Sequence, residues 1–103
     1  MNSEPLQYYI HDGPRSLRFH LSGSLSGRGA ESVQHAWQTA LSILGDRPLI
    51  VDITSVVDAD DRGHGLLALW QQSGARIVAG SRASRALAQY IVGELAVRGP
   101  ARA

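Results

Sequence analysis

A group of ionisable side chains between residues 58 and 64 is the part of this sequence best suited to chemistry. Three carboxylates, Asp58, Asp60 and Asp61, fall within four positions, and Arg62 and His64 follow directly. Carboxylates bind divalent cations, accept phosphoryl groups or move protons, and a histidine beside them titrates near neutral pH. The same residue types also cap the start of helices. Chemistry and capping therefore compete as interpretations of this group.

Three kinds of active or metal site are disfavoured by the residues around the group. A calcium loop needs a spacing that this segment lacks, and Arg62 places a cation inside the cluster. Phosphorylation of an aspartate needs a conjugate lysine, but all ten basic residues counted as lysine or arginine are arginine. Acid–base catalysis by His64 needs a nucleophile or a second histidine, which the sequence does not place nearby. The sequence therefore predicts no catalytic residue, no metal and no cofactor, and a protein that is not an enzyme.

The capping interpretation applies to at least one of the aspartates. Asp60 or Asp61 would accept backbone N–H groups at a helix start and would lie at the positive end of the helix dipole, worth about 0.3–1 kcal/mol at an exposed site. Gly63 and Gly65 would then let the first turn of that helix pack closely. A binding role for the remaining aspartates stays open beside this interpretation.

The elements that must position this group follow from hydrophobic periodicity and from glycine and proline signals. The pattern predicts strands over residues 5–12, 16–23, 48–53 and 75–80, and helices over residues 26–44, 63–74 and 84–97. The fold class is therefore α/β: a single domain with a mixed β-sheet, helices packed against it and the order β-β-α-β-α-β-α. The first two strands form an antiparallel pair, and the later strands are parallel with right-handed crossovers. The acidic group follows strand 48–53, at the edge where such sheets bind ligands.

The same periodicity predicts which side chains face the core. In the second strand these are Leu17, Phe19 and Leu21. The inward positions of the three helices, taken in chain order, are Ala30, Val33, Trp37, Ala40, Leu41 and Leu44; Leu66, Leu69 and Trp70; and Leu87, Tyr90, Ile91 and Leu95, with Ser84 as the cap of the last helix.

Length and composition limit the function classes. The chain has 103 residues, 44% of them hydrophobic, a formal charge of +1 and no cysteine. These values predict one domain, over residues 1–98, and they exclude disulfides and thiolate chemistry. The small, polar end "RGPARA", which contains Pro100, predicts a flexible tail over residues 99–103. A near-neutral charge gives no reason to expect nucleic acid as a partner. No targeting segment or long apolar run is visible, so we expect a soluble cytoplasmic protein without membrane insertion.

The segment from Ile50 to Leu67 resembles the signature of the STAS domain, the sulphate transporter and anti-sigma-factor antagonist family. That signature has a strand ending in an aspartate, then Asp-Ser-Ser-Gly-apolar-Gly and an apolar helix. Here "VDIT" supplies the strand end and "DDRGHGLLAL" supplies the turn and helix, without a gap in spacing. The upstream "LRFHLSGSLSGRGAESVQHAWQTAL" and the downstream "SGARIVAGSRASRALAQYIV" are also similar to the family. The resemblance covers nearly the whole chain and implies the same strand and helix order.

The resemblance gives the acidic turn a regulatory meaning. In antagonist members the first serine of Asp-Ser-Ser-Gly is phosphorylated by a partner kinase, and the added charge releases the antagonist. Asp61 stands at that position and Arg62 at the next serine, so neither can become a phosphoserine. Asp61 carries about −1, whereas a phosphoserine carries about −1.5 to −2. We expect Asp61 to be exposed at the start of its helix and Arg62 to pair with Asp58 or Asp60.

What the resemblance implies is a non-enzymatic protein-interaction module of bacterial partner-switching signalling, with a regulatory turn formed by Asp58, Asp60, Asp61, Arg62, Gly63, His64 and Gly65. Its partner would be an anti-sigma factor or GHKL-type kinase, and the chain would be a monomer or a weak dimer. One alternative is an accessory STAS subunit of an ABC-type lipid transporter, which would bind an ATPase subunit. Another is a STAS domain that binds a nucleotide or a lipid, for which Arg76, Arg82 and Arg85 would form a basic patch.

Overall fold

The fold is a four-stranded mixed sheet with helices packed against it, as predicted. The structure is a computed structural model that describes residues 5–89. Its elements are β1 (Gln7–Asp12), β2 (Leu17–Leu25), α1 (Gly27–Leu44), β3 (Leu49–Ala59), α2 (Asp61–Gln72) and β4 (Arg76–Val78). A third helix, α3, begins at residue 82 and is described as far as residue 89. The predicted core positions Tyr90, Ile91 and Leu95 and the predicted tail lie outside the described residues.

The strands lie in the order β1-β2-β3-β4. β1 pairs antiparallel with β2 without a register shift, whereas β2 and β3 pair parallel with shifts after His20 and Gly23. β4 pairs parallel with β3. The antiparallel hairpin and the parallel pairs predicted from the sequence are both confirmed. The sheet therefore brings the ends of β2 and β3 to the same edge, where α1 and α2 begin.

The core lies between one face of the sheet and helices α1 and α2. Leu17, Phe19 and Leu21 are fully buried on this face, as their alternation predicts. Two predicted inward residues are wrong, because Leu41 and Leu69 are 45% and 39% exposed. In α2 the side chain buried in place of Leu69 is Leu67, which completes the inward stripe of that helix.

The bounds of several elements differ from the predicted ones. β3 runs to Ala59, six residues beyond the predicted end at residue 53. α2 begins at Asp61 rather than near Gly63, so only Asp60 separates strand from helix. The strand predicted over residues 75–80 as buried is a short strand of three residues in which Arg76 is exposed.

The start of α3 is held by a reciprocal pair of serines. The N–H of Ser84 donates to the Ser81 hydroxyl at 3.0 Å, and the N–H of Ser81 donates to the Ser84 hydroxyl at 2.9 Å. This is the capping-box arrangement, with a serine in the place of the usual glutamate. The predicted cap at Ser84 is therefore wrong by three residues: Ser81 precedes the helix, and the buried Ser84 completes the box.

Candidate functional site

Asp60 is the residue that organises the turn between β3 and α2. One carboxylate oxygen accepts the N–H of Gly63 in α2 at 2.8 Å, and the other accepts the N–H of Gly27 at 3.1 Å. Gly27 is the first residue of α1, and the hydroxyl of Ser26 before it does not cap that helix. A single carboxylate therefore caps both helices. The capping interpretation is confirmed for Asp60.

The ionisation of Asp60 follows from these contacts. The N–H of Gly63 lowers the pKa of the Asp60 carboxyl below its ordinary value. Partial burial acts in the opposite direction, while the N–H of Gly27 and the positive charge of Arg62 lower the pKa further. The carboxylate therefore stays charged, and holds both helix starts, well into the acid range.

Gly63 and Gly65 have different roles, although both were predicted to allow close packing. A β-carbon on Gly63 would lie 2.0 Å from the carbonyl oxygen of Leu25 and 3.0 Å from the β-carbon of Ala59. A β-carbon on Gly65 would meet nothing within 4 Å. Close packing is thus confirmed for Gly63, which presses α2 against the end of β2, and is wrong for Gly65.

Asp58 belongs to the end of β3 and not to a loop. Its carboxylate accepts a short hydrogen bond of 2.5 Å from the hydroxyl of Ser24, which lies opposite it on β2. Ser24 is buried, and its oxygen is also 2.9 Å from the hydroxyl of Ser26. The aspartate is tolerated in the strand because β2 supplies this hydroxyl partner. The carboxylate of Asp58 therefore already has a hydrogen-bond partner inside the sheet.

Asp61 is exposed at the first position of α2, as predicted. Within residues 5–89 its carboxylate makes no hydrogen bond and no ion pair. The ion pair predicted between Arg62 and Asp58 or Asp60 is wrong, because Arg62 lies 4.0 Å from the carboxylate of Glu31 in α1. Arg62 acts on Asp60 only through its charge. His64 is half-buried in the same turn of α2.

A second polar group lies on the sheet face opposite the core. Asp52 on β3 pairs with Arg18 on β2 at 2.8 Å and lies 3.6 Å from His20 Nδ1. Burial alone would raise the pKa of Asp52, but hydrogen bonds from the hydroxyl and N–H of Thr54 outweigh it. With Arg18 and His20 they lower the pKa to about 2. This group fixes β2 against β3 near the start of β3, at a distance from the turn.

Other kinds of site would need a metal-binding cluster, a membrane-spanning helix or a basic patch. In the described part of the chain, no group of three or more histidine or acidic side chains is placed to hold a metal ion. None of the helices in this part is long and apolar enough to cross a membrane. Arg76, Arg82 and Arg85 are exposed.

Sequence reasoning missed the residues on α1 and β2 that complete the turn. Ser24, Gly27 and Glu31 lie about thirty residues before the acidic group, yet each contacts one of its members. The only sequence signal was the parallel pairing of β2 and β3, which brings their ends together. The particular partners depend on the register shifts near the end of β2, which periodicity does not report.

No family model matches this chain, and a comparison with curated proteins also finds no match.

Proposed function

We propose that this chain is a protein-interaction module of the STAS type that works without serine phosphorylation. The β-β-α-β-α-β-α order and the placement of the acidic turn between β3 and α2 support the proposal, since both are features that the sequence resemblance implies. The docking surface would be the turn at Asp60 and Asp61 together with the start of α2.

The observation that carries the proposal is that the carboxylates of two neighbouring aspartates differ in their contacts. Asp60 accepts N–H groups from both helices, so the capping requirement of α2 is met without Asp61. Asp61 is exposed beside it, and its carboxylate makes no hydrogen bond or ion pair with the described residues. An exposed charge on a rigid turn is available to a partner, because positioning it costs little further ordering on binding.

The charge at this position is permanent and is not cancelled by its neighbour. The guanidinium of Arg62 lies 4.0 Å from Glu31 on α1, and no ion pair joins it to Asp61. A complementary partner would therefore present a basic group to Asp61, and opposite charges at an interface contribute mainly to specificity and association rate. Among the partner classes that the resemblance implies, an anti-sigma factor or GHKL-type kinase with such a basic group fits best.

Affinity capture with matched variants tests the proposal. We would compare the wild type with Asp61→Ser and Asp61→Ala, and use Asp46→Ser as the control, since Asp46 is exposed after α1 at the opposite edge of the sheet. Removal of the charge should lower recovery of the same partner by about fivefold to tenfold for both Asp61 variants, and recovery should stay constant for the control. Equal recovery by all four proteins would show that this charge does not govern binding.

Incubation with the captured partner and ATP gives a second, independent readout. If the partner is a kinase, Asp61→Ser should gain a phosphate at residue 61 and the wild type should gain none within residues 54–67. Thr54 and Ser55 are the only hydroxyl residues of that range. A phosphate on either of them in the wild type would contradict a turn that works without phosphorylation.

A further inference from the structure

Among residues 5–89, the outer edge of β1 is an open strand edge with the features of a pairing surface. β1 is the first strand of the sheet, and no other strand in the described part of the chain pairs with its outer side. Its backbone therefore presents a row of N–H and C=O groups that can pair with another strand. Native proteins usually protect such edges with lysine, proline, bulges or very short strands.

None of these protections is present in β1. The strand has six residues, Gln7–Asp12, with sequence QYYIHD, so it contains no lysine, arginine or proline. Its pairing with β2 is continuous, which leaves the edge without a bulge. Two of its large hydrophobic side chains are also accessible, since Tyr9 is 62% and Ile10 is 42% exposed.

A third exposed apolar side chain lies near the end of β1. The guanidinium of Arg47 binds the carboxylate of Asp12, the carbonyl oxygen of Gly13 and the carbonyl oxygen of Ile43. This clamp holds the end of α1 next to the end of β1. Ile43 is 55% exposed. Half of the large exposed hydrophobic side chains of the described chain thus lie at or beside β1.

We propose that β1 pairs antiparallel with β1 of a second copy of this chain, which joins two sheets into one across a two-fold axis. A two-fold axis perpendicular to the sheet keeps each side chain on its own face, so only positions of equal parity can lie opposite one another. The pairing with β2 places Tyr8 and Ile10 on the core face, and Tyr9 on the opposite face.

The register with Tyr9 on the axis is self-complementary. It sets Tyr8 opposite Ile10 of the other copy twice, and aromatic with β-branched pairs stabilise antiparallel strands. Centring on Ile10 would instead set the carboxylate of Asp12 opposite Tyr8. Asp12 is the only residue of β1 with a full charge at neutral pH, and the Tyr9 register keeps the two copies of it at opposite ends. An edge of six residues is a small contact, so the dimer is weak and reversible.

Engineered cysteines test both the surface and the register, because the chain contains no cysteine of its own. Tyr9→Cys places two thiols opposite each other, with Cα atoms about 4.5–5.5 Å apart, within the range that a disulfide spans. Ile10→Cys separates them by about 7–8 Å, which is too far. Under mild oxidation Tyr9→Cys should form a covalent dimer rapidly, whereas Ile10→Cys and the exposed control Val57→Cys on β3 should not.

Sedimentation of unmodified protein supplies the second measurement. The wild type should show a concentration-dependent monomer–dimer equilibrium below about 1 mM. Tyr9→Lys should weaken it by about tenfold through like charges on the axis, and Leu69→Lys on the distant α2 should leave it unchanged. A wild type that stays monomeric, or cross-linking that is equal at Tyr9 and Val57, would overturn the proposal. Rapid cross-linking of Ile10→Cys alone would overturn the Tyr9 register.

Discussion

Replacing Gly63 by alanine tests whether the turn depends on close contact between α2 and β2. Alanine adds one methyl group, and that carbon would lie 2.0 Å from the carbonyl oxygen of Leu25. A backbone oxygen cannot rotate away as a side chain can, so either α2 or the end of β2 has to move. Gly65→Ala is the matched control, because the same methyl group would meet nothing within 4 Å there.

The two substitutions should change the free energy of unfolding in opposite directions. In α2 alanine is favoured over glycine by about 1 kcal/mol, which Gly65→Ala should gain almost in full. At Gly63 this gain is outweighed by overpacking of about 1–3 kcal/mol. The Gly63 N–H bond to Asp60 would be strained as well, at a further cost of about 1 kcal/mol. We expect Gly63→Ala to lower the free energy of unfolding by about 2 kcal/mol and Gly65→Ala to raise it by about 0.5–1 kcal/mol.

Thermal and urea unfolding measure both variants with the same signal. Trp37 and Trp70 are the only tryptophans of the chain, are buried and meet edge to face, with ring centroids 6.5 Å apart. Their fluorescence therefore reports the packing of α1 on α2. At about 4–8 °C per kcal/mol, Gly63→Ala should melt about 8–16 °C below the wild type and Gly65→Ala a few degrees above it. Equal or higher stability of Gly63→Ala would refute the close contact with Leu25.

Two further predictions concern the carboxylates. Asp60→Ala removes the acceptor for both helix starts and should cost about 1–3 kcal/mol in urea unfolding, while Asp60→Asn, which keeps one oxygen acceptor, should cost less. Asp52 has a pKa of about 2, below its ordinary 3.8, so its contribution is complete above about pH 5 and is lost as the pH falls toward 2. That contribution is about 2 kcal/mol, and Asp52→Asn should flatten the fall of stability across this window; an unchanged slope would contradict the assignment.

The sequence was sufficient to predict the fold because the signals that determine it are local. Alternation at Leu17, Phe19 and Leu21 identified β2 and its buried face. Helical spacing identified α1 and its buried Trp37, while Gly45 correctly marked the end of that helix with its positive φ of 64°. These patterns express which side of an element is covered, and burial of apolar surface decides that side.

The details of the site escaped sequence reasoning because they depend on contacts between distant segments. Asp58 looked like a loop residue, since aspartate is unfavourable in strands, but Ser24 on β2 supplies the hydroxyl that lets it remain in β3. Arg62 was expected to pair with a neighbour, whereas Glu31 on α1 is the carboxylate that lies within reach. Leu67 and Leu69 are equally apolar, and only the position of α2 on the sheet decides which of them is buried.

Because the Asp60 carboxylate caps two helices, the order in which parts of the fold can form is constrained. Gly27 leaves the ribosome 33 residues before Asp60, so α1 can form only with its first N–H bonded to water. That bond is replaced when β3 joins β2 and carries Asp60 alongside. The start of α1 is thus capped late in folding, by Asp60 from the segment that follows the helix. Conversely, any event that pulls the β3–α2 turn away also uncaps the first helix, so the two helices open together at this end.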